Sequence, residues 1–284
     1  MQLFNHRLLH KTGATLTDYS RQLSEIGGET ITITVIAADY LYIGGDVPFS
    51  HRYFKFGTTK NAAASVIQEI AIWDGNSWVA AVDVQDGTLS AGKTFAKSGV
   101  VSWRTDRNSS WAQELTTEDM ESSGIETAKI YDLYWARVKF TADLTAAINI
   151  AYCGHCFSND TYMRMHYPDL MVSSVLDAFE TGKTDWNDQH CLAAQEVTRF
   201  LQRKRQMWSP NQLQNWQQFT IAATHKAAEI AYSGFPGDDQ EDMRKRAEAK
   251  FYQAMNQNVV AIDKNENGHV EQQERRPVAG LFRR

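Results

Sequence analysis

The sequence predicts an α+β chain: an N-terminal antiparallel β-sandwich, jelly-roll-like, followed by a C-terminal antiparallel helical bundle and an extended tail. Three observations carry this. Between residues 29 and 157, runs rich in Val, Ile, Thr, Tyr and Trp alternate with short polar turns. After about residue 168 the text changes to Ala, Gln, Glu, Lys and Arg at helical spacing. The 284 residues, 43% of them hydrophobic, supply apolar surface for two modest cores. The expected divisions are an arm or leading hairpin over 1–28, the sandwich over 29–157, the bundle over 168–262 and a docking tail over 263–284.

Gly27-Gly28 closes the leading segment. In Thr30-Ile31-Thr32-Ile33-Thr34-Val35-Ile36, β-branched polar and apolar residues alternate, as a strand with one wet face requires. Further strands are expected over Tyr40 to Ile43, Tyr53 to Phe56, Ser65 to Trp73, Trp78 to Val84, Val100 to Arg104, Lys129 to Phe140 and Ala147 to Tyr152. Short strands separated by Asp-Gly and Gly-Gly turns favour an antiparallel arrangement over a parallel sheet.

Past Pro168, Leu170 to Phe179 fits a short helix stopped by Gly182. Thr184 or Asp185 caps the next, whose stripe of Ala193, Val197, Phe200 and Leu201 faces a core while Arg199, Lys204 and Arg205 face away; its end is expected near Trp208. Ser209-Pro210 signals another start, with Leu213, Trp216, Thr220, Ala223, Ala227 and Ile230 as the buried face and Gly234 as the stop. Asp238, Asp239 and Asp242 suit the positive N-terminal end of a last helix through Met243, Ala247, Phe251 and Ala254.

A net charge of −5 gives the chain no global attraction for nucleic acid or anionic membrane, so any polyanion contact must be local. No run approaches the roughly 18 apolar residues of a membrane span, and the first residues lack the apolar core of a signal peptide. Synthesis in a cytoplasm is expected, and the sparse, odd set Cys153, Cys156 and Cys191 fits a reducing compartment.

Several motifs invite a chemical reading. Gly87 to Thr94 has the lettering of a phosphate loop, but Gly99 and the strand-like Val100-Val101-Ser102-Trp103 follow where a helix is needed, so an inter-strand loop is expected. Cys153-Gly154-His155-Cys156 has the lettering of a thiol exchange site, but Phe157-Ser158-Asn159-Asp160 reads as a turn where the helix that lowers a thiol pKa is needed. A zinc site that adds His190 and Cys191 is opposed by their adjacency on a helix. The segment from Asp263 to Glu274 fits a calcium loop in full. Asp263, Asn265 and Asn267 would offer side-chain oxygens, His269 its carbonyl, Gly268 the sharp turn and Glu274 a bidentate carboxylate. The alternative is a metal-free Asx-rich turn, since Pro277 leaves little room for an exiting helix. Trp73, Trp78, Trp103, Trp111 and Trp135 read as core rather than as a sugar-stacking face. No catalytic arrangement is recognisable, and no enzymatic activity is expected.

Four stretches in order, Trp73-Asp74-Gly75-Asn76-Ser77-Trp78, Val84-Gln85-Asp86-Gly87-Thr88, Lys97-Ser98-Gly99-Val100-Val101-Ser102-Trp103 and Tyr134-Trp135-Ala136-Arg137, resemble a β domain of tailed-bacteriophage structural proteins. The second half resembles the helical head-to-tail connectors, or adaptors, of the same viruses. That likeness rests on Asp185-Trp186-Asn187-Asp188, three bundle helices, Asp263 to Gly268, Glu274-Arg275-Arg276-Pro277 and Leu281-Phe282-Arg283-Arg284. Together they span most of residues 30 to 284. The resemblance implies a virion protein of the neck: a ring, usually of twelve copies, that binds the portal protein, meets a tail terminator or another neck protein, and surrounds the passage of genomic DNA. The sandwich is larger than in many adaptors. A baseplate or tail-fibre attachment protein, with the sandwich binding carbohydrate or protein, is the alternative.

The tail from Glu274 carries Arg275, Arg276, Arg283 and Arg284 with Leu281 and Phe282 as apolar anchors, while Pro277 and Gly280 prevent a long helix. It reads as a partner-binding peptide suited to a groove on a portal ring. A basic tail touching DNA is the competing reading.

Overall fold

A computed structural model describes residues 6–114, 124–125, 130, 132–145 and 147–278. The chain is α+β with antiparallel sheets and divides into two compact units. The first comprises Met1–Gly154 and Asp263–Val270, the second His155–Ile262 and Glu271–Arg284.

In the first unit, strands β1 (His6–Thr12), β2 (Thr15–Asp18), β4 (Tyr40–Gly45), β6 (Ile67–Trp73), β7 (Trp78–Ala80), β10 (Gln113–Glu114) and β11 (Leu133–Phe140) form one sheet. Its order is β2-β1-β4-β11-β6-β7, with β10 pairing the start of β11. Strands β3 (Ile31–Ile33), β5 (His51–Phe56), β8 (Val82–Asp86), β9 (Gly99–Arg104) and β12 (Ile148–Gly154) form the other, in the order β3-β12-β5-β9-β8. A one-turn helix, α1 (Ser20–Leu23), follows β2. Every strand pair is antiparallel.

Period-two alternation puts one side of the central strands into a core common to both sheets. Leu41, Ile43, Ile70, Ile72, Ala136, Val138 and Phe140 from the first sheet join Ile31, Ile33, Phe54, Val101, Ile148 and Ile150 from the second. The opposite side of β11 and its neighbours builds a smaller cluster of Leu9, Tyr42, Trp73, Ile125 and Trp135. The first sheet is therefore apolar on both faces.

The second unit holds α2 (Asp160–His166), α3 (Ser173–Phe179), α4 (Asn187–Arg203), α5 (Thr220–Tyr232) and α6 (Asp238–Gln257), then β13 (Val259–Ala261) paired with β14 (Arg275–Pro277). Small residues of α4 and α5 (Ala193, Ala194, Ala223, Ala227) let larger ones (Trp186, Phe219, Tyr232, Phe251) fill one core. The acidic first turn of α6 (Asp238, Asp239, Glu241) complements its macrodipole as expected.

Several expectations are corrected. The leading segment is a hairpin, β1–β2, whose first strand pairs β4 inside the sheet, so it is integral to the first unit. The strand expected over Trp78 to Val84 breaks at Ala81, because its halves join different sheets. Asp160 opens α2, where a turn was expected: Asn159 caps it by accepting from the Thr161 and Tyr162 amides. Ser209 caps only a short 3-10 turn, Pro210–Gln212, and α5 waits until Thr220. The tail is split: residues 263–270 belong to the first unit and residues from Glu271 to the second.

Candidate functional site

The predicted calcium segment is a self-satisfied loop anchored in the first unit. One carboxylate oxygen of Asp263 accepts from the Gly268 amide at 2.6 Å and the other from the Asn267 amide at 3.3 Å. The Asn265 side-chain oxygen accepts from the Asn267 amide, and that of Asn267 from the His269 amide at 2.8 Å. The spacing that would place oxygens around an ion here serves the loop's own donors, as Asx turns do.

Three further contacts hold the segment in the first unit. The Tyr134 hydroxyl donates to Glu266 at 3.0 Å, and the His269 ring donates from Nε2 to the Ser109 carbonyl at 2.9 Å. Gly268 lies against Trp111, whose indole N–H donates to Thr105 at 2.7 Å. Burial, then the bond to Glu266, raises the Tyr134 phenol above its ordinary range.

Glu274, the fifth predicted ligand residue, belongs to the second unit, where its buried carboxylate accepts from the Glu271 amide at 2.8 Å and closes a one-turn cap. Among the described residues, no three His, Cys, Asp or Glu side chains gather as a metal would need.

Of the predicted partner-binding residues, Arg275 and Arg276 are exposed on β14. Leu281, Phe282, Arg283 and Arg284 lie outside the described residues; the last described residue, Val278, donates its amide to the Asn258 carbonyl at the end of α6.

The phosphate-loop lettering has a geometric explanation. Ser90 and Lys93 exchange backbone bonds of 3.0 Å across Ala91 and Gly92, both with left-handed φ, so the stretch is a tight hairpin and opens no helix. Thr88 is buried beneath it. Its hydroxyl donates to Asp86 and accepts from the Phe95 amide.

Cys153 is the penultimate residue of β12, and burial pushes its thiol up to about 12, the reverse of what thiol exchange needs. His190, considered for zinc, is engaged at both nitrogens. Nδ1 bonds the Ser158 hydroxyl at 2.7 Å and Nε2 bonds Asp160 at 3.2 Å.

This Ser158–His190–Asp160 chain is an arrangement the sequence did not disclose, because its members are separated by 32 and 30 residues from the histidine. Its nitrogens are reversed relative to a hydrolytic triad, where the serine faces Nε2 and the acid Nδ1. With His190 0% and Ser158 6% exposed, the array ties the entry to α2 onto α4.

Trp73, Trp103, Trp111 and Trp135 are buried and only Trp78 is half-buried, which removes a stacking face made of this set. Trp73 and Trp78 close the β6–β7 hairpin as a cross-strand pair with ring centroids 5.3 Å apart, while Asp74 accepts from the Asn76 and Ser77 amides.

Basic residues left outside the sequence-based site list stand out in the second unit. Arg203, Lys204 and Arg205 are consecutive and exposed at the end of α4. The contiguous letters were the available signal.

Among the described residues, no helix is long and apolar enough to cross a membrane. Compared with known proteins, the chain matches no family model, no curated protein and no solved structure.

Proposed function

We propose that this chain is a structural protein of the tailed-phage neck, an adaptor that forms a ring between portal and tail around the DNA channel. The observation that carries the reading is the order of parts. A β unit whose two sheets share a core, read as a sandwich, is followed by a helical unit built on α4, α5 and α6, read as a bundle. The strand β14 then returns beside β13, so that the residues after Val278 continue from the helical unit. This is the order that the resemblance implies.

The motifs behind the resemblance also have architectural work in this chain. Trp73 to Trp78 closes a hairpin, Asp86-Gly87-Thr88 and Gly99 form a close backbone crossing, and Tyr134 to Arg137 alternates between two apolar faces. In the proposed ring, each copy offers one patch to the complementary patch of the next, a heterologous contact that closes when its rotation divides the circle. Leu281 and Phe282 enter a groove on the portal protein, with Arg283 and Arg284 forming bidentate bonds to carboxylates at its rim.

The test is co-assembly of the full chain with the portal protein encoded in the same genome. Leu281→Ala with Phe282→Ala is expected to abolish co-sedimentation while leaving the chain folded. Retained attachment in that variant, together with loss on Arg283→Gln with Arg284→Gln, would overturn groove docking.

A further inference from the structure

We propose that the C-terminal end of α4 and the adjoining strand β14 form a contact surface for the phosphate backbone of duplex DNA. Arg203, Lys204 and Arg205 are all exposed, and Arg205 turns the chain with a φ of +53°. A cation at a helix C-terminus answers the macrodipole, which accounts for Arg203 in the last turn. Lys204, as the C-cap residue, stands at the same helix end, and Arg205 follows it in the turn past the helix.

The neighbouring strand adds to the charge. The Gln206 side-chain amide donates to the carbonyls of Pro277 and Val278, at 3.0 and 3.2 Å, and so fixes the end of β14 beside this turn. Arg275 and Arg276 precede that anchor and are also exposed. A run of three exposed cations thus adjoins a strand that bears two more on successive, alternating positions, in a chain whose net charge is −5.

Some other cations of this unit are answered locally, Arg199 by Glu196, Arg244 by Glu241 and Glu248, and Lys245 by Glu241, whereas the exposed Arg164, Arg246 and Lys250 make no ion pair among the described residues. Among the described residues, no carboxylate lies within ion-pair distance of any of the five. The nearest exposed acid along the chain, Glu271, accepts from Gln273.

The flanks are aromatic. Lys204 sits over Phe200, with its nitrogen 5.7 Å from the ring centroid, and Phe200 packs 6.0 Å from Tyr252, which is 45% exposed. Trp208, whose carbonyl accepts from Gln202, is 57% exposed.

One sign of charge without interspersed acids favours a polyanion over a protein face. Protein interfaces are depleted of charge at their centres and match individual pairs, whereas a phosphate backbone rewards every cation through counterion release. A protein contact is the alternative outcome of the test.

The inference stands apart from the adaptor reading. A ring that ignores DNA, or a monomer that binds it, would separate the two.

The experiment is fluorescence anisotropy of a labelled 20-base-pair duplex with the full chain between 50 and 200 mM salt. Five phosphate contacts predict a slope of log K against log salt of about −4.5. Arg203→Gln with Lys204→Gln and Arg205→Gln should make that slope shallower by about 2.7 and weaken binding at least tenfold at 50 mM salt. Arg275→Gln with Arg276→Gln, on an exposed strand, is the second variant in case the first misfolds, and should remove about 1.8 from the slope. Absence of duplex binding at 50 mM salt, unchanged binding by folded variants, or polyglutamate binding as tight as duplex binding would overturn the proposal.

Discussion

Gly268 lies so close to Trp111 that a β-carbon on it would stand 2.2 Å from the indole Cδ1, and its φ of +84° lies where glycine alone is unstrained. Residues 263–270 are therefore fitted to the first unit as well as to their own turn. Gly268→Ala combines a left-handed alanine with an overpacked ring and should cost about 2–4 kcal/mol. Urea unfolding followed by tryptophan fluorescence measures it, and a loss under 1 kcal/mol would show that the loop and ring are not coupled.

The carboxylate of Asp263 serves the loop before it serves any ion. Asp263→Ala is expected to destabilise the first unit by about 1–3 kcal/mol in the presence of EDTA, because two amides lose their acceptor. Thermal scans with EDTA and with millimolar calcium measure both roles together. A loss that appears only with calcium would make the ion, rather than the amides, the reason for this aspartate.

Tyr134 and Glu266 are joined across 132 residues of sequence. A double-mutant cycle of Tyr134→Phe and Glu266→Ala should give a coupling energy of about 1.5–3 kcal/mol, in the range for a hydrogen bond to a charged acceptor. Additive effects would place the two side chains apart in solution.

Acid should weaken the first unit through its buried histidines. Burial, and next the Arg52 guanidinium, push His6 from 6.5 down to about 3, against an opposing bond to the Cys153 backbone; the same two causes hold His51 well below 6.5. Both rings are neutral when folded and take up protons near pH 6.5 when unfolded. Their contribution is intact above pH 6.5 and is lost as pH falls below it, down to about 3 for His6, by up to about 1.4 kcal/mol per pH unit for each ring. Denaturant midpoints at pH 7, 6, 5 and 4 measure the slope, and His6→Gln should flatten it. A midpoint that rises with acid would contradict the assignment.

The legible parts were those governed by local pattern. Thr30 to Ile36 advertised a strand by alternation, of which only Ile31–Ile33 pairs in the sheet, and Asp238 to Asp242 advertised a helix start by charge. What stayed hidden depended on distant partners. Asn159 looked like part of a turn, and only with α2 in place does its side chain cap a helix. The adjacency of His190 and Cys191 argued against a shared metal, but nothing local disclosed that folding brings Ser158 and Asp160 to the two nitrogens of His190. The letters from Asp263 to Gly268 carried an Asx turn and a calcium loop equally well, since both need oxygens at alternate positions and a glycine at the bend. Their attachment to Trp111 and Tyr134 had no local signature. The phosphate-loop lettering was read correctly as an inter-strand loop, because Val100 to Trp103 left no room for a helix.

Electron cryomicroscopy of native particles purified from the source of this chain is the decisive measurement of the proposed adaptor role. The expected result is a closed ring of twelve copies at the junction between head and tail of a tailed virion. Density for it confined to the baseplate or fibres, or its absence from the purified particle, would rule the adaptor role out.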